Sequence, residues 1–290
     1  MESADPAASA IHQRICPLTG RASVIGFTGA PGAGKSTLID AYIGALRSRG
    51  QRIAVAAVDP SSPISDGAIL GDRVRMLRHA EDAGVFIRSI ASRGHLGGLS
   101  ESIHRIVDAM DAAGFDMIIV ETVGTGQSEV EVAQLADVCV VVNAPNMGDD
   151  VQAMKAGVLE IADVLVVNKA DLGHAQSTAK HLRSMLKLRR DNRDVAVVET
   201  IATKDNGIDR LAGAIDERLA SGIADRQKRR ERRVRRLIAA AASRAVHGFI
   251  CDTTGGDIES IIKSASIGEI DVPTAVERAL TARTLNIKES

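Results

Sequence analysis

The chain has 290 residues, enough for one large domain or for a domain with an extension. It is 45% hydrophobic and 25% charged with a formal net charge of −1, ordinary for a globular protein and contrary to a general nucleic-acid binder. No apolar run approaches the length of a membrane span, and the N-terminus M-E-S-A-D-P-A-A-S-A has neither a signal-peptide core nor the Arg-rich character of a transit peptide, so the expected location is cytoplasmic.

In chain order, residues 1–20 read as a short, loosely structured N-terminal extension. Val24 to Thr28 is an apolar strand, followed by the glycine-rich turn G-A-P-G-A-G-K-S-T and a helix running to Ser48, with Gly50 as its stop. Ile53 to Val58 is a second strand, ending at Asp59-Pro60, and a polar loop leads to Gly71-Asp72-Arg73. Val85 to Ile90 is a third strand and Leu99 to Ala113 has helical spacing. Met117 to Val120, Val138 to Val142, Val164 to Val167 and Val195 to Val198 are further strands. Val151 to Ile161 and Ala175 to Leu188 are helical patterns between them. Short β-branched runs alternating with helices predict an α/β fold, a mostly parallel sheet of about seven strands covered by helices on both faces. In such folds ligands bind beyond the carboxyl ends of the strands. Gly29, Asp59, Glu121, Asn143 and Asn168 all fall at or just past strand ends.

The composition shifts after about residue 221. A long helix opens with the basic run Arg226 to Arg236, and the helical patches Ile258 to Ser264 and Val272 to Ala282 follow. The expected organisation is an extension over 1–20, a nucleotide domain over 21–221 and a C-terminal helical extension over 222–290. Cys16, Cys139 and Cys251 are far apart and form no C-x-x-C pair, so no disulfide framework is expected, and Cys139 reads as a small core hydrophobe.

Three motifs carry chemistry. Gly29, Gly34, Lys35 and Ser36 match G-x-x-x-x-G-K-[ST] in the strand-turn-helix context the match requires. The backbone of Gly29, Ala30, Pro31, Gly32, Ala33 and Gly34, with Thr37 opening the helix, can wrap a phosphate with inward N–H groups and the positive end of a helix. The Lys35 ammonium can reach the β- and γ-phosphates, and the Ser36 hydroxyl can take a Mg²⁺ position. Asn168-Lys169-Ala170-Asp171 is N-K-x-D, in which a carboxylate at Asp171 can accept from the guanine N1–H and 2-amino group, a donor pair adenine lacks. Lys169 can lie along the base, Asn168 can brace the loop, and backbone N–H groups near Ala202 can face the guanine O6. Glu121, followed by Gly124, occupies the place of the acidic Walker B residue; it can hold a Mg²⁺-bound water while the Gly124 N–H senses the γ-phosphate. Asp59 and Asp72 are candidates for the Mg²⁺ water shell or for orienting the attacking water, and Gln127 is a further candidate for the latter. The basic run is read as a solvated helix face or a site for an acidic partner. His95 and His104 have no metal-ligand spacing.

With T-G-A-P-G-A-G-K-S-T, A-V-D-P-S-S-P-I-S-D-G-A-I-L-G-D-R-V-R-M, F-I-R-S-I-A-S-R-G-H-L-G-G-L-S, V-E-T-V-G-T-G-Q-S-E-V and N-K-A-D in place, the chain resembles the MeaB/ArgK GTPases over about residues 17–285. These are accessory chaperones of the cobalamin-dependent methylmalonyl-CoA mutase. The resemblance implies a homodimeric, Mg²⁺-dependent GTPase with a C-terminal dimerisation arm, whose nucleotide cycle gates cofactor loading and protects the mutase. A cobalamin adenosyltransferase is a further implied partner, and neither nucleic acid nor membrane is. It implies that Lys35, Ser36, Asp59, Asp72 and Glu121 form the Mg²⁺–phosphate site, and that Gly148 to Lys155 is a mobile third switch in which Lys155 pairs with acidic groups near the nucleotide. Two departures stand out: family members usually carry a longer helical segment before the nucleotide domain, and Ile201 stands where a Ser is common. The alternatives are an ATP-dependent kinase or ATPase of an amino-acid transport system, against which N-K-A-D speaks, and a metal-delivery GTPase, whose clustered Cys or His ligands are not apparent.

Overall fold

The computed structural model describes residues 6–59, 76–79, 81–91, 100–122, 132–133, 135–145, 156–187, 194–221, 223–253 and 255–288. Seven strands form one sheet: β1 (Ser23–Thr28), β2 (Ile53–Asp59), β3 (Val85–Ala91), β4 (Met117–Glu121), β5 (Val138–Asn143), β6 (Val164–Val167) and β7 (Ala196–Glu199). Their order is β3-β2-β4-β1-β5-β6-β7, and every neighbouring pair is parallel. The boundaries agree with the apolar runs to within a residue or so; β7 begins one residue later than the pattern suggested.

The strands read as unbroken apolar runs because both faces are covered. Ile25 and Phe27 of β1, Val55 of β2, Ile119 of β4 and Val140 of β5 enter one core with residues of α2 (Lys35–Ser48) and α6 (Ile208–Ser221). Their neighbours Val24, Ala54, Ala56, Ile118 and Val120 point the other way, into a core with α3 (Ser100–Ala112). Cys139, Val141, Leu165 and Val167 join a third cluster with α5 (Ala175–Lys187), and Leu159 of α4 (Ala156–Ile161) belongs to it. The period-two alternation of side chains sorts each strand between the two sides. Full burial of a Leu, Ile, Val or Phe side chain stabilises the fold by about 1.5–3 kcal/mol, so these two-sided strands carry most of the driving force. None of the three cysteines is in a disulfide, and Cys139 is buried, as its strand context suggested.

The N-terminus departs from expectation. Pro6–Ile15 is a helix, α1, not a loose segment. Pro6 opens it where a missing N–H costs nothing. Ala8 is buried, and His12 Nε2 lies 2.9 Å from Asp108 Oδ2 of α3. Small residues at its start give α1 little apolar signal of its own; docking on α3 holds it. One turn along α3, Asp111 accepts backbone N–H bonds from Gly20, Arg21 and Ala22, fixing the entry to β1.

Helices follow the sheet: α7 (Ile223–Asp252), α8 (Gly256–Ser266) and α9 (Val272–Lys288). The basic run Arg226 to Arg236 lies in α7. The chain separates into two compact units, Met1–Arg229 and Arg230–Ser290. Among the described residues, no helix is long and apolar enough to cross a membrane.

Candidate functional site

The sheet order puts β1 between β4 and β5, while the chain leaves β1 to form β2 on the far side of β4. That reversal of direction opens a crevice at the carboxyl end of β1, and the loop Gly29–Gly34 occupies it. Gly29 has φ 132° and Gly34 φ 85°, values that side chains resist. Space forbids a side chain as well: a Cβ on Gly29 would strike the Val142 carbonyl of β5, and one on Gly34 the Asn168 side-chain amide. Gly34 in turn caps α2, whose first residues are Lys35 and Ser36. The helix N-terminus and its amides thus face the crevice.

Lys35 is buried to 7% exposure, its ammonium 2.7 Å from the Gly29 carbonyl and 3.0 Å from that of Ala30. A cation held across the loop in this way sits where an anionic ligand would be cradled. The Ser36 hydroxyl donates to Glu121 Oε1 at 2.7 Å, and both side chains are buried. Glu121 ends β4, which pairs with β1 in register at Phe27, so sheet geometry delivers the carboxylate to the start of α2. An alcohol and a carboxylate side by side are a hard-oxygen donor set, the kind Mg²⁺ takes.

The N-K-x-D segment follows β6, two strands away from β1, and reaches back to the phosphate loop. Asn168 is buried; its Nδ2 donates to the Ala33 carbonyl at 3.0 Å and lies 3.4 Å from that of Gly34. Its Oδ1 accepts from the Thr200 hydroxyl at 3.1 Å and from the Ala202 N–H at 3.2 Å. Lys169 has φ 56°, and its ammonium bonds the Gly32 carbonyl at 2.8 Å. Asp171 is exposed, 3.6 Å from Lys204 Nζ. The Ala202 amide thus faces Asn168 rather than the open crevice.

Gly29, Ala30, Gly32, Ala33, Gly34, Lys35, Ser36, Glu121, Asn168, Lys169 and Ala202 are therefore drawn into one bonded assembly. Pro31 lies within the same loop and Thr37 in the first turn of α2. Asp171 is two residues beyond Lys169. Asp59 closes β2, on the same edge of the sheet; its side chain lies outside the described residues, as do Asp72, Gly124, Gln127 and Lys155. Sequence reasoning missed four polar side chains that hold the site. Thr200 locks Asn168. Thr28 and Thr122 form a buried hydroxyl pair, 3.1 Å apart, just behind the loop and just after Glu121. Lys204 faces Asp171. A Thr directly following an apolar strand was the available signal for Thr200.

Comparison with known proteins follows the same lines. The family model described as methylmalonyl Co-A mutase-associated GTPase MeaB matches residues 1–253. A protein of Pyrococcus abyssi named as a provisional GTPase is 43% identical over 291 residues, 97% of this chain and 89% of its own. The GTPase ArgK of Escherichia coli is 41% identical over 210 residues, covering 69% of this chain and 62% of its own. The mouse methylmalonic aciduria type A homolog, mitochondrial, is 38% identical over 217 residues, 71% of this chain and 51% of its own. A crystal structure of an LAO/AO transport system kinase superposes with a TM-score of 0.72 at 26% identity, over 98% of this chain and 90% of that one. Helicobacter pylori HypB, solved with nickel, gives a TM-score of 0.51 at 16% identity over 74% of this chain and 94% of its own, a likeness of fold alone. A family match over most of the chain, and 43% identity across nearly all of it, make this protein a member of the MeaB/ArgK family of P-loop GTPases.

Proposed function

We propose that the protein is a Mg²⁺-dependent GTP switch that serves a cobalamin-dependent methylmalonyl-CoA mutase, loading and protecting its cofactor. The observation that carries the nucleotide part is the Asn168 bridge, a buried amide that ties the phosphate loop to the N-K-x-D segment. Through it, occupancy by the base and occupancy by the phosphates report to one another.

In this reading the Lys35 ammonium exchanges its loop carbonyls for the β- and γ-phosphates, and the backbone N–H groups of 29–36, Pro31 apart, donate to the remaining phosphate oxygens. Ser36, Glu121, Asp59 and Asp72 would hold Mg²⁺, which would supply positive charge to offset the charge that gathers on the phosphates during transfer. Asp171 accepts from the guanine N1–H and 2-amino group, and O6 takes the Ala202 amide from Asn168. Water attacks the γ-phosphorus, oriented by Asp72 or Gln127, and the products are GDP and phosphate. The loops bearing Asp59, Asp72, Gly124 and Lys155 then lose the γ-phosphate contact that ordered them, and the partner reads the difference. The partner assignment rests on the family's description and on the name of the mouse relative. The domain reading is an extension over 1–20, a GTPase domain over 21–221 and a helical part over 222–290. The last carries the homodimer contact, supported by the apolar side chains that α8 and α9 leave exposed.

The test is capture on immobilised protein loaded with a non-hydrolysable GTP analogue. Retention of a protein that mass spectrometry identifies as a cobalamin-dependent mutase, and that interconverts methylmalonyl-CoA and succinyl-CoA, supports the assignment. A mutase that stays in the flow-through with GTP analogue and with GDP alike overturns it. Competition of GTP against ATP for the site separates the switch from the kinase alternative.

A further inference from the structure

The N-terminal edge of the sheet, opposite the nucleotide crevice, holds a second constellation of chemically competent side chains. His12 sits in the last turn of α1, and Cys16 follows four residues on, in the 3₁₀ turn Cys16–Leu18. The i, i+4 spacing stacks them on one face. Cys16 Sγ is 3.8 Å from His12 Nε2 and 3.9 Å from Nδ1. Asp108 comes from α3, ninety-six residues away, and its Oδ2 is 2.9 Å from His12 Nε2. The thiol, imidazole and carboxylate ligand atoms all lie within 4.8 Å of one another.

We propose that His12, Cys16 and Asp108 bind a divalent d-block ion, Zn²⁺ best of all, and that the ion staples α1 to α3. One sulfur, one nitrogen and one oxygen donor suit a borderline-soft cation, whereas Mg²⁺ takes oxygen alone. Ligand atoms on a tetrahedral zinc stand roughly 3.3–3.6 Å apart, given Zn–N near 2.0 Å and Zn–S near 2.3 Å. The observed 2.9 and 3.8 Å separations straddle that range and the third, Cys16 to Asp108, is within 4.8 Å, so side-chain shifts of up to about an ångström bring the three onto one ion. Cys16 is exposed and His12 and Asp108 are partly so, which leaves the ion a path from solution and a fourth position for water. Binding releases the thiol proton to solvent, since the thiolate is the ligand. Asp111, one turn further along α3, anchors the amides that lead into β1. A staple at Asp108 therefore steadies the stem from which the phosphate loop grows, without entering the nucleotide crevice. This inference is independent of the mutase assignment.

A second His-x-x-x-Cys pair, His247 and Cys251 in α7, has the same spacing, with Sγ 3.9 Å from Nδ1. Metal binding is therefore read in full-length Cys251→Ser protein, stripped of metal and kept reduced, by titration with Co²⁺ as a spectroscopic stand-in for zinc. The expected result is one cobalt per chain with a thiolate-to-cobalt charge-transfer band, bleached by added Zn²⁺. The band should vanish in Cys16→Ser/Cys251→Ser, whose circular dichroism and GTP binding remain those of the parent. Asp108→Asn in the Cys251→Ser background should weaken affinity at least about tenfold, since even outer partners of a metal ligand change affinity about 10–100-fold. Absence of the band in Cys251→Ser, its survival in the double variant, or unchanged affinity in Asp108→Asn would each overturn the three-ligand site, leaving a His12–Asp108 ion pair with a neighbouring thiol.

Discussion

The two units of this chain bury their apolar surface to very different degrees. In Met1–Arg229 the central strands are buried residue for residue, β4, β5 and β6 without exception. In Arg230–Ser290 the described hydrophobic residues that reach full burial are Ile258 and Ala279, while seven of the eleven exposed large hydrophobic side chains belong to this unit. They include Val234 and Ile238 of α7, Ile262 of α8, and Val276 and Leu280 of α9. Helices that show apolar side chains to water at this density are partner surfaces more often than finished domains. In the proposed function the first unit holds the ligand, and the second is covered by another copy of the chain.

If that contrast is right, damage to the first unit should abolish chemistry and spare assembly. Lys35→Ala removes the cation that spans the loop carbonyls of Gly29 and Ala30. GTP turnover should fall by at least about 10²-fold, as for loss of a preorganised charge at a transfer site, with the oligomeric state unchanged; phosphate release and light scattering read the two. Asp171→Asn should follow. Its loss of the guanine acceptor pair should cost about 1–3 kcal/mol of GTP affinity, and xanthosine triphosphate should gain, because the new amide donates where the carboxylate accepted. The exposed pair with Lys204 adds little, so the melting temperature should hardly move. Damage to the second unit should do the reverse. Val276→Asp with Leu280→Asp puts two charges on one face of α9 and should weaken self-association at least about tenfold for each buried side chain lost, while GTP turnover per chain stays at the parental level. A dimer indifferent to both would break the contrast.

The two-sided strands could be read directly, because a parallel sheet covered on both faces needs unbroken apolar runs. The phosphate loop was legible for the same kind of reason: Gly29 and Gly34 stand where φ is positive and a Cβ has no room, so local sequence and local geometry are one constraint. What could not be read were bonds whose partners lie far apart in the chain. Asn168 holding Ala33, Ser36 meeting Glu121 and His12 meeting Asp108 all depend on strand order. The helix α1 fell in that class, since P-A-A-S-A has little apolar periodicity and its helicity comes from docking on α3. By contrast, α6 was legible in principle: Ile208, Leu211, Ala212 and Ile215 keep helical spacing and are all buried.

The smallest effect tests the second unit from inside. Asp271 precedes α9, and its Oδ1 accepts the Thr274 N–H at 2.9 Å, satisfying one of the amides a helix start leaves unpaired. The Thr274 hydroxyl first, and its N–H second, hold the Asp271 carboxyl below the usual carboxylate range. A carboxyl with a lowered value in the folded state binds its proton more readily when unfolded. Its contribution is therefore present above the unfolded value, near 4, and is lost as pH falls through the folded one. Asp271→Ala should lower the melting temperature of the C-terminal helices slightly at neutral pH, and the difference from the parent should close below about pH 4. Far-ultraviolet circular dichroism of full-length protein saturated with GDP, which pins the first unit, isolates this change. A gap between parent and variant that stays constant from neutral to acid pH would show that Asp271 acts by packing, and that α9 starts where its partner, rather than its cap, dictates.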